Sequence, residues 1–348
     1  MTGPFVVTGV GLVSSAGDTP ESVLSAMVAG ARLDSGAIAG FDAKRYIARK
    51  GVKDLSRLSQ LACSAASANA GGLADVAPDA VGLVFGSAWG SLKTVVDFER
   101  AAHLEGARFV DPILFTETVS NVPAGQIAIL YGWSAFNATL ASGSASGLAA
   151  VRQAVAFLAE TRGLVAVAGG GDEINLPLCA ALRTRGWNGR PGGEGACFLT
   201  IEHEDHARSR GAPALASIRA TGETFGAAPA ALIRELIARA GFRAADIGLV
   251  VLSAPGPGEG DAADARAIVE IFGDAPDATP VLFPKTILGE TWGASGTLAA
   301  ALAIEVMRTS TVPALRGPVR RRVGAALILD RTDEGHQLGL VLGREPAA

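Results

Sequence analysis

The sequence contains little cysteine. Its three cysteines, Cys63, Cys179 and Cys197, are odd in number and have no Cys-x-x-Cys spacing. A disulfide framework needs paired cysteines, and a structural zinc site needs closely spaced ones. We therefore expect reduced thiols and no structural zinc.

Charge and long apolar runs are also scarce. Only 18% of the residues are charged and the formal net charge is −4, so there is no general basic surface for nucleic acid. No uninterrupted apolar run reaches the roughly 18 residues of a membrane span. The start, "MTGPFVVTGVGLV", has no basic leader. We expect a soluble cytoplasmic protein that partners neither nucleic acid nor membrane.

Apolar residues are abundant. They make up 49% of the 348 residues, and 44 glycines accompany them, which predicts a large core with tightly packed layers. A strand pattern covers Phe5 to Val13, and helical patterns cover about Glu21 to Ala29 and Leu55 to Leu73. Because strand and helix patterns alternate along the chain, we expect an α/β fold.

An internal repeat organises the chain. "VGLVFGSAWG" from Val81 recurs 166 residues later as "IGLVVLSAPG" from Ile247. "SASGLAA" from Ser144 has a counterpart in "GASGTLAA" from Gly293, with an offset of 149 between their alanines. Two copies of strand, turn, small-residue corner and helix predict two similar halves, 1–205 and 206–348, packed as one compact unit.

A helix follows the small residues of "LASGSASGLAAV". Its apolar stripe consists of Leu148, Val151, Val155 and Leu158. Ser142 or Ser144 then lies at the helix N-terminus, where free backbone N–H groups favour a developing negative charge. A serine there is either a nucleophile beside an oxyanion hole or an N-cap, and the pattern leaves both open.

Nine segments in order resemble the β-ketoacyl synthases of the thiolase fold. They are "VVTGVGLVSSAG", "LSRLSQLA", "NVPAGQIA", "SASGLAAV", "VAGGGDE", "EGACFLTIE", "HARSRGAPALASIRATG", "FPKTILGETWGASG" and "GAALILD". The resemblance implies a five-layer αβαβα duplication, a dimer, and decarboxylative joining of acyl and malonyl groups. These arrive on an acyl carrier protein, so its phosphopantetheine arm is an indirect ligand, and no cofactor or metal is implied.

The resemblance also assigns the site residues. The family cysteine falls on Ser144, the two family histidines on Pro255 and Glu290, and the family lysine on Lys285. The Gly-Phe-Gly-Gly turn, which supplies an oxyanion N–H, reads "RRRVGAAL" from Arg320. Serine is a poor nucleophile without a base, proline exchanges no proton, and a carboxylate repels an enolate. The sequence therefore predicts a degenerate condensing site.

The hypothesis that follows is a partner subunit and not an enzyme. The family includes degenerate members, called chain-length factors, that pair with an active ketosynthase in type II polyketide systems. We expect such a subunit, in polyketide, polyene or fatty-acid-like biosynthesis, in a heterodimer or larger assembly, shaping the acyl tunnel. Segment 116–127 then borders interface and tunnel, and Ile113, Leu114 and Phe115 line the tunnel or belong to the core.

Two alternatives stay open. One is a serine acyl-hydrolase or acyltransferase that uses Ser144, with Glu290 as base. The other is a free-standing homodimeric scaffold or acyl-binding protein. An adduct at Ser144 separates the first alternative from the partner subunit, and copurification with a cysteine-bearing synthase separates the second.

Three further groups of residues have weaker predicted roles. A basic cluster contacts an acidic carrier protein or its phosphopantetheine phosphate, or is a solvated turn. His203 and His206 lie beside acidic residues and are expected to be solvent-exposed. Asp172 and Glu173, in "GGGDE", are expected to be structural residues of a turn. The basic cluster consists of Arg316, Arg320, Arg321 and Arg322.

Overall fold

The computed structural model describes residues 5–31, 36–161, 163–184, 192–253, 262–274, 279–314 and 317–345. The strands are β1 (Phe5–Ser14), β2 (Val81–Gly86), β3 (Asn137–Leu140), β4 (Val165–Asp172), β5 (Gly195–His203), β6 (Ala216–Phe225), β7 (Leu249–Ser253), β8 (Val281–Leu282), β9 (Thr311–Val312), β10 (Val319–Arg320), β11 (Ala325–Arg331) and β12 (His336–Gly343). The helices are α1 (Pro20–Val28), α2 (Arg57–Gly71), α3 (Leu92–Leu104), α4 (Pro112–Thr116), α5 (Val122–Tyr131), α6 (Ser146–Glu160), α7 (Leu176–Thr184), α8 (Glu204–Ser209), α9 (Pro229–Arg239), α10 (Ala262–Phe272), α11 (Lys285–Leu288) and α12 (Ser295–Thr309).

Ten strands are hydrogen-bonded in the order β3-β2-β4-β5-β1-β6-β12-β11-β7-β8. From one edge to the centre the strands are β3-β2-β4-β5-β1, and from the other edge to the centre they are the corresponding strands β8-β7-β11-β12-β6. The two halves meet at the centre, where β1 and β6 pair antiparallel. In each half, four strands run in one direction, and the fifth, β5 or β12, runs antiparallel to both of its neighbours. The duplication predicted from the sequence is therefore confirmed.

The helices form three layers around the two half-sheets. One apolar core lies outside the first half-sheet, against α2 and α5, and another outside the second, against α9 and α10. The largest core lies between the half-sheets and contains α6 and α12. The layers thus follow αβαβα, as predicted. Because α12 packs between two sheets, every residue from Ser295 to Met307 is buried.

The helix repeat has the predicted register, but the strand repeat is shifted by one residue. α6 and α12 both have 15 residues, and their starts are 149 residues apart. Leu83 and Phe85 face the outer layer, whereas the outer-facing residues of β7 are Val250 and Leu252, an offset of 167 instead of 166. Successive side chains of a strand point to opposite faces of the sheet. An alignment that is wrong by one residue therefore assigns every side chain of the strand to the wrong side of the sheet.

The predicted division at residues 205 and 206 remains a prediction. The last strand of the first half, β5, ends at His203, and β6 begins the second half at Ala216. Within the described ranges, no helix is long and apolar enough to cross a membrane.

Candidate functional site

The first helix of the central layer begins at a tight corner. Gly143 has a φ of +57°, a conformation that side chains with a Cβ rarely adopt. The Ser146 hydroxyl donates to the Gly143 carbonyl at 2.6 Å and accepts from the Ser142 N–H at 2.8 Å. These bonds hold Ser144 immediately before the first turn of α6.

Ser144 is half-buried, and its hydroxyl has an identified partner. The Oγ atom donates to the backbone carbonyl of Arg331, at the end of β11, over 3.1 Å. An amide carbonyl accepts a hydrogen bond but does not take up a proton at neutral pH. This contact therefore orients the hydroxyl without activating it as a nucleophile.

Lys285 and Glu290 form a buried ion pair. The Lys285 Nζ donates to Glu290 Oε2 at 2.7 Å, and the two side chains are 5% and 7% exposed. The second oxygen of Glu290 accepts from the Trp292 N–H at 2.9 Å and from the Ser295 hydroxyl at 3.1 Å. Glu290 thus fixes the lysine and the start of α12 together. It has no hydrogen bond to Ser144 among its described contacts.

Trp292 occupies in the second half the place that Gly143 has in the first. The two residues are 149 apart, and Trp292 has a φ of +41°. Such a backbone in a large residue costs of order 1–3 kcal/mol and persists where the surroundings impose it. Here the backbone N–H bonds Glu290, and the indole packs edge-on to Trp89 at 6.4 Å between ring centroids.

Asp172 connects the two halves beside this corner. Its carboxylate accepts from the Ser87 hydroxyl at 2.6 Å and from the backbone N–H groups of Ala88, Trp89 and Gly293 at 2.7–3.0 Å. Burial raises its pKa to about 6, although these four donors oppose the shift. Asp172 therefore joins the loop after β2 to the corner before α12.

The "GGGDE" segment is not the predicted turn. Gly169 to Asp172 belong to β4 and pair with β5. Asp172 and Glu173 are buried and hydrogen-bonded to protein groups, which agrees with their predicted structural role.

Asp330 is a site residue that the sequence reasoning missed. It is the last residue of β11 on the face that packs against the central helices. It pairs with Ser253 of β7 and is 1% exposed. Its Oδ2 atom has no hydrogen-bond partner among the described residues. Burial raises its pKa to about 7, the charge of Lys285 opposes the shift, and that of Glu290 adds to it. The available signal was an acidic residue closing the apolar run "AALIL" on the face of Ala326 and Ile328.

The predicted oxyanion turn at Arg320 is wrong. Arg320 lies in β10, pairs with Thr311, and donates to the Thr309 carbonyl at the C-terminal end of α12. The residues beside Ser144 follow β11 instead, because a Cβ on Gly143 would lie 3.1 Å from the Thr332 methyl group. Segment 320–323 precedes β11 and the turn at Thr332 follows it, so the two are at opposite ends of one strand.

The remaining predicted site residues do not gather here. Pro255 and Arg316 lie outside the described residues. Arg320, Arg321 and Arg322 are exposed. α12 has 15 residues and is therefore about 22 Å long, which separates these arginines from the corner at Glu290.

His203 and His206 are not solvent-exposed as predicted, but half-buried. His203 Nε2 lies 2.7 Å from the Leu158 carbonyl, and its ring packs on Phe5. His206 Nδ1 lies 2.6 Å from the buried carboxylate of Glu202. Across the described ranges, no cluster of three His, Cys, Asp or Glu residues could hold a metal ion.

An apolar surface covers the segment between α3 and α5. Ile113 and Phe115 are 72% and 57% exposed, so they are not core residues of this chain. Within the described residues, β3 pairs with β2 on one side only, which leaves an open sheet edge. We call the following residues the apolar segment: Leu104, Phe109, Ile113, Leu114, Phe115 and Val119.

Comparison with known proteins identifies the family. Residues 41–186 match the N-terminal domain of β-ketoacyl synthases and residues 213–317 match their C-terminal domain. The chain is 25% identical to the 3-oxoacyl-[acyl-carrier-protein] synthase 2 of Vibrio cholerae, with 97% of this chain and 91% of that protein covered.

Two solved structures share the fold. The ishigamide ketosynthase/chain length factor superposes with a TM-score of 0.88 at 21% identity, covering 99% of this chain and 100% of that one. A type II polyketide acyl carrier protein in complex with its hexaketide-bound ketosynthase gives 0.86 at 15% identity, with the same coverage. Since both family domains match in order over a duplicated αβαβα architecture, the chain belongs to the β-ketoacyl synthase family and has its thiolase-like fold.

Proposed function

We propose that the chain is a noncatalytic partner of an active ketosynthase, of the chain-length-factor type, in type II polyketide, polyene or fatty-acid-like biosynthesis. The observation that carries the proposal is the buried pair of Lys285 and Glu290, 2.7 Å apart. A carboxylate stands where the resemblance places an imidazole, and the lysine beside it is already neutralised.

Condensation needs donors aimed at a developing negative charge. Glu290 offers oxygens instead, and all its described bonds serve the lysine and the α12 corner. Ser144 donates to a carbonyl, so no described contact withdraws its proton. The same contacts disfavour a serine hydrolase with Glu290 as base, since this carboxylate would first have to leave three hydrogen bonds.

The apolar segment and the open edge of β3 are the proposed contact with the synthase. A contiguous apolar surface on a folded protein marks an interaction site, and an open strand edge offers unpaired backbone groups to a second chain. Similarity to the ishigamide ketosynthase/chain length factor supports this choice of partner.

An acyl carrier protein is the second proposed partner, with its phosphopantetheine arm as the indirect ligand. Support comes from the similar ketosynthase that was solved with its acyl carrier protein. The predicted docking cluster of Arg316 and Arg320–Arg322 remains a prediction. Because its described members lie about one length of α12 from the central corner, a carrier held there would dock away from Ser144.

Copurification tests the assignment. The tagged chain is co-expressed with a ketosynthase that retains its cysteine, and we expect a stable complex. Ile113→Asp with Phe115→Asp should abolish it, because two charges would be buried in an apolar contact. Phe225→Asp is the matched control, since Phe225 is 71% exposed on another surface.

Two outcomes would reject the proposal. One is a synthase that does not copurify and is fully active alone. The other is a covalent adduct at Ser144, seen by peptide mass spectrometry after treatment with a fluorophosphonate. That adduct would favour the hydrolase instead.

A further inference from the structure

Asp330 lies between the two helices of the central layer. A Cβ built on Gly296, in the first turn of α12, would be 2.7 Å from Asp330 Oδ2 and 2.5 Å from Leu148, in the first turn of α6. The carboxyl group is therefore close to the corners at which both helices begin. Buried carboxyl oxygens are normally hydrogen-bonded, but this one has no partner among the described residues.

Among the described residues, the cations near an Asp330 carboxylate already have acidic partners, and the guanidinium of Arg331 lies 3.6 Å from the Asp264 carboxylate. The nearby cation, Lys285, is bound to Glu290, so that pair is already neutral. Lys285 and Glu290 are the ionisable groups that act on Asp330, with opposite effects. The Arg331 N–H, which donates to Asp330 Oδ1 at 2.9 Å, and the neighbouring Ser253 hydroxyl lower the pKa of Asp330 but bring no charge.

Residue 144 is in direct contact with the backbone of the residue that follows Asp330. The Ser144 hydroxyl donates to the carbonyl of Arg331, the next residue along β11. A negative charge on the side chain of residue 144 would therefore face this carbonyl oxygen, at the strand end where the Asp330 carboxyl lies between the first turns of α6 and α12. Two like charges in a site of low dielectric constant disfavour each other.

We propose that Asp330 opposes the formation of an anion on the side chain of residue 144, and so is a barrier to acylation separate from the loss of the cysteine sulfur. The inference rests on the proposed function in taking residue 144 to be non-nucleophilic. The test of this inference uses the purified chain without a synthase. A negative result can therefore be distinguished from a failure of the proposed function, which would appear as a failure to copurify with the synthase.

The experiment places a thiol at the position and measures thiolate formation. Ser144→Cys, Ser144→Cys/Asp330→Asn and Ser144→Cys/Asp205→Asn are alkylated with iodoacetamide between pH 5.5 and 8.0. The thiolate sulfur displaces iodide, and its proton goes to solvent. Peptide mass spectrometry separates residue 144 from Cys63 and Cys197, whose burial raises their pKa values to about 12, and from Cys179.

At pH 8.0 we expect alkylation of residue 144 to be up to about tenfold faster with Asp330→Asn than with Ser144→Cys alone, because about one Asp330 in ten is still protonated there, given a pKa of about 7. At pH 5.5 the two rates should agree within twofold, because Asp330 is then protonated and neutral, given a pKa of about 7. Asp205→Asn removes an equal charge from an exposed side chain and should change nothing.

Three results would overturn the proposal: a change below twofold at pH 8.0, an equal acceleration by Asp205→Asn, or an acceleration that persists unchanged at pH 5.5. Circular dichroism verifies folding of each variant. If the Asp330→Asn variant does not fold, Ser144→Cys/Asp330→Ser supplies a second neutral side chain at this position. The same three results would then overturn the proposal.

Discussion

Replacing Asp330 by asparagine should remove part of the pH dependence of folding stability. Burial raises the pKa of this carboxyl from 3.8 to about 7. In the folded state the group keeps its proton up to about pH 7, whereas in the unfolded chain it loses the proton near pH 4. Because the folded state binds more protons between these values, stability falls as pH rises through this window and levels off above it.

The magnitude follows from the size of the shift. About three pKa units at ~1.4 kcal/mol each give a cost of up to about 4 kcal/mol above pH 7. By pH 5, roughly a third of that cost is already present. Between pH 5 and pH 8, Asp330 should therefore lower the free energy of unfolding by up to about 3 kcal/mol, and Asp330→Asn should abolish this contribution.

Urea unfolding at half-unit steps from pH 5 to pH 8, followed by circular dichroism, measures the effect. The quantity compared is the change in the free energy of unfolding with pH. Burying the amide of the Asp330→Asn variant costs the same at every pH and therefore does not affect this comparison. Asp205→Asn, at an exposed position, serves as the control and should follow the unmodified chain. If the Asp330→Asn curve runs parallel to that of the unmodified chain, burial does not raise the pKa of this carboxyl as described.

Three more substitutions test the corners and the ion pair. Lys285→Met leaves Glu290 buried and uncompensated, and should lower the free energy of unfolding by about 3–5 kcal/mol; a loss below about 1 kcal/mol would contradict a buried pair. Gly143→Ala imposes a φ of +57° on alanine and should cost about 1–2 kcal/mol, whereas Gly125→Ala, in a helix with open space, should be neutral or stabilising; equal melting temperatures would refute the strained corner. Ser144→Ala removes one hydrogen bond, worth about 1 kcal/mol, and should leave the complex with the synthase intact, so loss of copurification would assign Ser144 a role we do not give it.

Much of the architecture could be predicted from the sequence, because local patterns carry it. The small-residue corner before α6 and the start of that helix recur 149 residues later at α12, and this repeat predicts two equivalent helices. The strand repeat is also visible in the sequence, but these strands are buried and apolar on both faces, so their pattern does not show which residues face which layer. Composition therefore did not reveal that the register between β2 and β7 is 167 and not 166.

The site was harder to predict because its chemistry depends on contacts between distant segments. The sequence placed a carboxylate at Glu290 but did not show that it binds Lys285 five residues earlier. Local similarity places the oxyanion turn at Arg320, whereas in the fold it is the other end of β11 that contacts Ser144, through the Arg331 carbonyl. Asp330 was missed for the same reason, since only the fold brings that strand end beside the helix corners.

The most direct test of the partner-subunit account is a reconstituted elongation assay read by mass spectrometry of the carrier protein. The purified chain is supplied with acyl-loaded and malonyl-loaded carrier, alone and together with a ketosynthase that retains its cysteine. We expect no elongated carrier-bound product from the chain alone, and products whose length changes when the chain joins the synthase. Elongation by the chain alone at the speed of a synthase would contradict the account.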